Sequence, residues 1–246
     1  MGRASESGCG DAPPMKKNPA SSHPLRIGWE AARTNALPGL VILGVALGML
    51  LGYRHWPAFH DALELVRGWK LRLGFGFSAL STALFGGLLP LLFRLIPATT
   101  RHDVPWRHLP FLVAFWAFKG VEVDLLYRLQ AFVFGDRAEL PVVVAKVFID
   151  QFVYGPLWAV PTMVVAYLWK DSGFRWVPLR QALGPGFYRC RCLPLLIANW
   201  GVWVPAVVVI YQLPLALQVP LQNLILCLFV LMVMILTRGG EPAAGG

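Results

Sequence analysis

The chain has 246 residues, 57% of them hydrophobic and 14% charged, with a mean hydropathy of +0.57. Soluble domains carry about 25% charged residues, so a soluble enzyme is the first class this composition excludes. The formal charge of +9 would suit a nucleic-acid binder, but the lysines and arginines fall between apolar blocks, as membrane-flanking cations do, and no nucleic-acid partner is expected.

Hydrophobicity arrives in blocks of about twenty residues, the length that crosses a bilayer core. The expected fold is therefore all-α, a polytopic membrane helix bundle with the lipid bilayer as its first partner. Residues 1–35 are rich in Gly, Ser, Pro and charge and read as a flexible polar tail. The first block, Ala36 to Tyr53, carries Gly44, Gly48 and Gly52. Glycines four apart form a smooth ridge on which another backbone can lie closely. That ridge suits a homo-oligomer seam or, the favoured reading, packing against a neighbouring helix of the same chain.

From Trp56 to Leu73 the pattern changes. Phe59, Leu63, Val66, Trp69 and Leu73 recur at helical spacing with Asp61, Glu64, Arg67, Lys70 and Arg72 between them. This is an amphipathic helix suited to the headgroup layer. Residues 36–73 thus form a first span plus an interfacial helix, 74–237 a helical core, and 238–246 a flexible tail. Within the core, spans are expected at about Leu73–Phe93, Leu109–Phe134, Pro141–Trp169, Leu193–Leu213 and Gln218–Thr237. That makes six spans, or five if the last two form one broken element around Pro214.

With six spans, fourteen lysines and arginines fall on the side of the two termini and five on the other. The larger group counts Arg189 and Arg191 as part of the loop between the fourth and fifth spans. This bias puts both termini in the cytoplasm or its topological equivalent.

Charges inside spans cost about 2.5–3.5 kcal/mol each at the helix centre on insertion scales, so they need partners or water. The third span holds Lys119 and Glu122, three apart, and Asp124 and Arg128, four apart. The fourth holds Lys146 and Asp150, four apart, followed by Gln151. Each charge thus has an opposite charge within about one helical turn. The short connection from Gly135 to Leu140 makes these spans an antiparallel hairpin. Arg128 and Asp150 then come to depths that long side chains can bridge, and a charged cluster is expected between the two helices. Such a cluster could line a solute path or simply fix helix register. Gly155 and Pro156 read as a kink with a close-packing glycine beside it.

Catalytic and metal chemistry find little support. His23, His55, His60, His102 and His108 lie in the tail, in loops or at span edges, and no H-E-x-x-H, G-x-S-x-G or phosphate-binding glycine loop occurs. No enzyme activity, cofactor or metal is expected. Arg101, His102, Asp103, Arg107 and His108 could hold an anionic headgroup, although a solvated basic loop is the simpler reading. Cys190-Arg191-Cys192 is too closely spaced for a metal knuckle, and Cys9, Cys190, Cys192 and Cys227 are expected as free thiols.

Residues 109–223 carry Phe118-Lys119-Gly120, Asp124, Tyr127 and Phe134-Gly135, followed by Lys146-Val-Phe-Ile-Asp150-Gln151-Phe-Val-Tyr-Gly155-Pro156. Asn199-Trp200, Trp203, Pro205 and Leu213-Pro214 come after. This pattern resembles the Mpv-seventeen family, which includes the twenty-two-kilodalton peroxisomal membrane protein. The resemblance covers about two-thirds of the chain, and K-x-x-x-D-Q-x-x-x-G-P is its specific part.

Val207, Val208 and Val209 stand where family members tend to carry glutamine and asparagine. Gln218 replaces an arginine, an aliphatic run from Val230 to Leu236 replaces an aromatic ending, and the first apolar block is additional. These departures suggest a distant bacterial branch. The resemblance implies a small multi-helix membrane protein of the kind proposed to form weakly selective channels. Two functions follow as expectations: a channel for an unidentified small solute lined by the third and fourth helices, or a non-transporting membrane organiser. The expected location is a bacterial inner membrane, with an organelle membrane, mitochondrial inner or peroxisomal, as the alternative.

Overall fold

The structure, a computed structural model, describes residues 36–95 and 106–238 together with Trp29 and Arg33, and describes side chains as far as Phe229. The expectations for the N-terminal tail, for Arg101, His102 and Asp103, and for the final residues lie outside the described residues.

Eight helices and no strand occur among the described residues. They are α1 (Ala36–His55), α2 (Pro57–Leu73), α3 (Phe75–Phe93), α4 (Leu109–Phe134), α5 (Leu140–Asp171), α6 (Trp176–Ala182), α7 (Tyr188–Ile210) and α8 (Leu215–Arg238). Among the described residues α1, α3, α5 and α7 are long and apolar enough to cross a membrane. The span boundaries read from hydropathy agree with the helices to within a few residues, except that α7 begins at Tyr188. Arg189 and Arg191 therefore belong to its first turns and not to a loop. The last two blocks are separate helices, divided by a turn at Tyr211–Pro214.

Local chemistry accounts for the breaks. Pro57 and Pro110 sit in the first turns of α2 and α4, where the missing N–H costs nothing. Gly74, at φ +56°, makes the joint between α2 and α3, and Gly135, at φ +86°, ends α4 before the short connection to α5. Both need a residue that tolerates the left-handed region. As expected, the chain turns back after Gly135, and the first part of α5, Leu140–Phe148, packs against α4.

The chain divides into two units, one built on Leu37–Phe148 and Val202 onward, the other on Ile149–Gly201. In the larger unit, Ile42, Ala46 and Leu50 of α1 share a buried core with Tyr127, Val143, Val147, Val202, Ala206, Ile210, Leu217, Leu221 and Ile225. The inward face of α1 is thus aliphatic. A Cβ added at Gly44 or Gly48 would meet nothing within 4 Å, and only Gly52 is packed, against Phe59. This corrects the expectation that the glycine ridge packs against a neighbouring helix.

A different small-residue face does that work. Ser78, Thr82 and Gly86 follow one another at four-residue spacing along α3, which takes up a π-helical turn from Ala83 to Leu88. Gly120 of α4 lies so close that an added Cβ would come within 2.2 Å of the Ser78 carbonyl, and one at Gly86 would meet the Trp116 ring at 2.5 Å. The smaller unit has its own core of Val160, Cys192 and Leu196, with Trp200 and Phe187 packed on it. Cys192 and Cys227 are free and buried, but Cys190 takes part in a disulfide. Free thiols throughout are therefore not what the structure has. Two positions apart on a helix, Cys190 and Cys192 face different ways.

Candidate functional site: a buried ionic cluster

α2 was expected to carry Phe59, Leu63, Val66, Trp69 and Leu73 as the apolar face of an amphipathic helix in the headgroup layer. Phe59, Leu63 and Val66 are half-buried, but Trp69 and Leu73 are exposed, and the next inward residue is Lys70, only 2% exposed. The spacing 59, 63, 66, 70 continues one helical stripe, so a charge occupies the last apolar position. Sequence reasoning missed this residue because it treated Lys70 as one of the solvated charges of the outer face. The uninterrupted stripe was the signal that could have found it.

The ammonium of Lys70 donates to the carboxylate of Asp124 on α4, to Ser78 Oγ at 2.5 Å and to the Gly74 carbonyl at 3.1 Å. Ser78 passes its own hydroxyl hydrogen to Asp124 at 3.0 Å, and Arg128 Nε donates to the other carboxylate oxygen at 3.1 Å. Both Asp124 oxygens are therefore engaged, and each of the three Lys70 donors has a partner. Burial pulls the Lys70 ammonium below its ordinary value, opposed by the hydrogen bond to Asp124. Arg128 is partly exposed and also lies over the Phe75 ring at 4.7 Å. The cluster ties α2, α3 and α4 at the Gly74 joint.

A second polar layer lies alongside. Thr82 donates to Asn223 Oδ1 at 3.0 Å, Asn223 donates to Ser81 Oγ at 2.9 Å, and Tyr127 donates to Gln222 at 2.7 Å. These bonds bring α8 onto α3 and α4. In the middle of α2, Glu64 accepts from Arg67 at 2.7 Å and from Tyr53 at 2.9 Å. The Arg67 hydrogen bond and then the Tyr53 hydrogen bond hold its carboxyl below the ordinary carboxylate range.

Of the charges singled out in the sequence, Asp124 and Arg128 pair as expected, and Lys119 pairs with Glu122 at 2.5 Å. The expected Lys146–Asp150 pair does not form. Lys146 makes no ion pair among the described residues, and its ammonium lies over the Tyr211 ring at 5.8 Å. From Ile149 the backbone of α5 runs as a π-helix, so the α-helical geometry that would put residues four apart on one face is lost. The ionic cluster is assembled by α2, α3 and α4 and not, as expected, between α4 and α5.

In the smaller unit the π-helical run Ile149–Ala159 contains Pro156, so the backbone around the expected kink follows π register. In π geometry the carbonyl of residue i takes the N–H of residue i+5. Pro156 has none to give Gln151, and Pro161 has none to give Pro156. Trp200 Nε1 donates to the Gln151 carbonyl at 2.8 Å and the Tyr188 hydroxyl to the Pro156 carbonyl at 3.1 Å. Both carbonyls stranded by proline are thus supplied by α7. The side chains of Asp150 and Gln151, both buried, bond to each other at 3.2 Å. Trp200→Phe should keep the packing against Phe152 while leaving the Gln151 carbonyl bare. A loss of about 1–3 kcal/mol is expected, read as a lowered melting midpoint in detergent, with Tyr188→Phe costing less because that bond is exposed.

These features define a class: an all-α protein whose four apolar helices suit a lipid bilayer, with a buried network of ions and hydroxyls. No family model, curated protein or solved structure matches this chain.

Proposed function

We propose that this chain is a membrane-embedded helical protein whose Lys70–Asp124–Arg128 cluster fixes helix packing, and that its role is to organise the membrane without passing solute through those charges. The observation that carries this reading is the closure of the network: Lys70, Ser78 and Asp124 spend their polar atoms on one another and on Gly74 and Arg128. A conducting path needs polar groups free to exchange water or solute, and these groups are not. The resemblance of residues 109–223 to the Mpv-seventeen family, a bacterial inner-membrane location and cytoplasmic termini are part of the same proposal.

A second reading, conduction of small solutes along α4 and α5, is favoured by Lys146 and Gln130. Both are buried, and neither finds a hydrogen-bonding side-chain partner among the described residues. Reconstitution separates the two. On the first reading, liposomes carrying the protein pass sucrose and potassium chloride no faster than empty ones. Flux that Lys146→Met abolishes would establish the second. Flux that survives Glu122→Gln and Asp150→Asn would remove those two residues from the lining.

A further inference from the structure

Three buried polar residues of the larger unit are incompletely engaged among the described residues. Gln130 on α4 is 2% exposed, and neither its amide nitrogen nor its amide oxygen has a hydrogen-bond partner among the described residues. Gln218 on α8 is buried, donates to the Leu213 carbonyl at 3.1 Å, and keeps its amide oxygen unpartnered. Lys146 on α5 is 1% exposed and makes no ion pair among the described residues; its ammonium lies over the Tyr211 ring, and the Asp136 carboxylate acts on it only through space. Buried polar groups are nearly always satisfied, and an exception calls for water, an ion or a function.

A chain of contacts links the helices that carry them. The Tyr211 ring lies under Lys146 and meets the Tyr127 ring edge-on at 5.3 Å. Gln130 stands one turn beyond Tyr127 on α4. Gln218 stands one turn before Gln222, the residue that Tyr127 bonds on α8. Gln130 and Lys146 also flank the α4–α5 connection, seven residues before and nine after Arg137, which puts them within about 3 Å of the same depth at 1.5 Å per residue.

The open atoms specify a ligand. A buried ammonium with no carboxylate in hydrogen-bonding contact has room for an anion as its direct partner. The amide nitrogen of Gln130 adds a donor for it. The two amide oxygens would repel a bare halide but would accept from a hydroxyl or amino group. We propose that Lys146, Gln130 and Gln218 form a buried binding site, walled by Tyr211, for a small carboxylate that carries its own hydrogen-bond donor, a short hydroxy acid or amino acid. This site stands apart from the Lys70–Asp124 cluster and does not require that the ligand cross the membrane.

Equilibrium dialysis of the purified full chain in detergent, with radiolabelled lactate, glycine and chloride, tests it. Saturable binding of lactate or glycine is expected, weakened at least tenfold by Lys146→Met and several-fold by Gln130→Leu, with Lys70→Met leaving it unchanged. Lys146→Met removes a buried charge and should keep its gel-filtration profile. If it does not, the comparison of wild type with Gln130→Leu decides. No saturable binding, binding of chloride alone, or equal affinity in the variants would overturn the proposal.

Discussion

Asp124→Leu should be among the most damaging single substitutions in the larger unit, lowering stability by about 3–5 kcal/mol. It strands the Lys70 ammonium at a position 2% exposed and leaves Ser78 Oγ without its acceptor. Lys70→Met should cost less, because Asp124 keeps Arg128 and Ser78 as donors. The double variant Lys70→Met, Asp124→Leu should recover most of the loss, since apolar groups of similar volume can replace a buried ion pair at little cost. Thermal midpoints in detergent for the four proteins form a double-mutant cycle. Strict additivity would mean that the two residues do not act together, and the packing role proposed for the cluster would fail.

Gly120→Ala should be nearly as severe for a different reason. The added methyl would lie 2.2 Å from the Ser78 carbonyl and 2.6 Å from Thr82 Oγ1. A backbone carbonyl cannot swing aside, so α3 and α4 must separate, and overpacking of this kind costs about 1–3 kcal/mol or more. The separation also loosens Ser78, which should widen the loss. Gly44→Ala is the control: its methyl meets nothing within 4 Å, and replacing a helical glycine by alanine should gain about 0.5–1 kcal/mol. Equal midpoints for the two variants would show that α3 and α4 do not pack as described.

These two glycines show how far the sequence could be read. Gly44, Gly48 and Gly52 carry the more regular spacing and were the obvious contact face, yet Gly44 and Gly48 look outward. The face that packs mixes Ser78, Thr82 and Gly86 with a partner glycine at 120. Small size allows close approach, but spacing along one helix does not say which side its neighbour takes. Register along α5 was hidden in a similar way. Lys146 and Asp150 are four apart, as an ion pair on an α-helix requires, but Pro156 and Pro161 remove donors, and the backbone runs as a π-helix from Ile149.

What the sequence settled by itself was the class and the elements. Apolar blocks of bilayer length, prolines at helix starts and glycines at breaks are local properties, and local chemistry is enough to place every one of these helices but α6, which falls in the stretch expected as a loop. The pairing of Asp124 with Arg128 and of Lys119 with Glu122 was legible for the same reason, since both partners lie within a turn of one another. Only the tertiary structure decided that Lys70, fifty-four positions from Asp124, supplies its principal cation. It also decided that Trp200 and Tyr188 serve the carbonyls left by proline. Those choices depend on which helix faces meet, and burial makes a buried charge or a bare carbonyl accept whatever partner the packing brings.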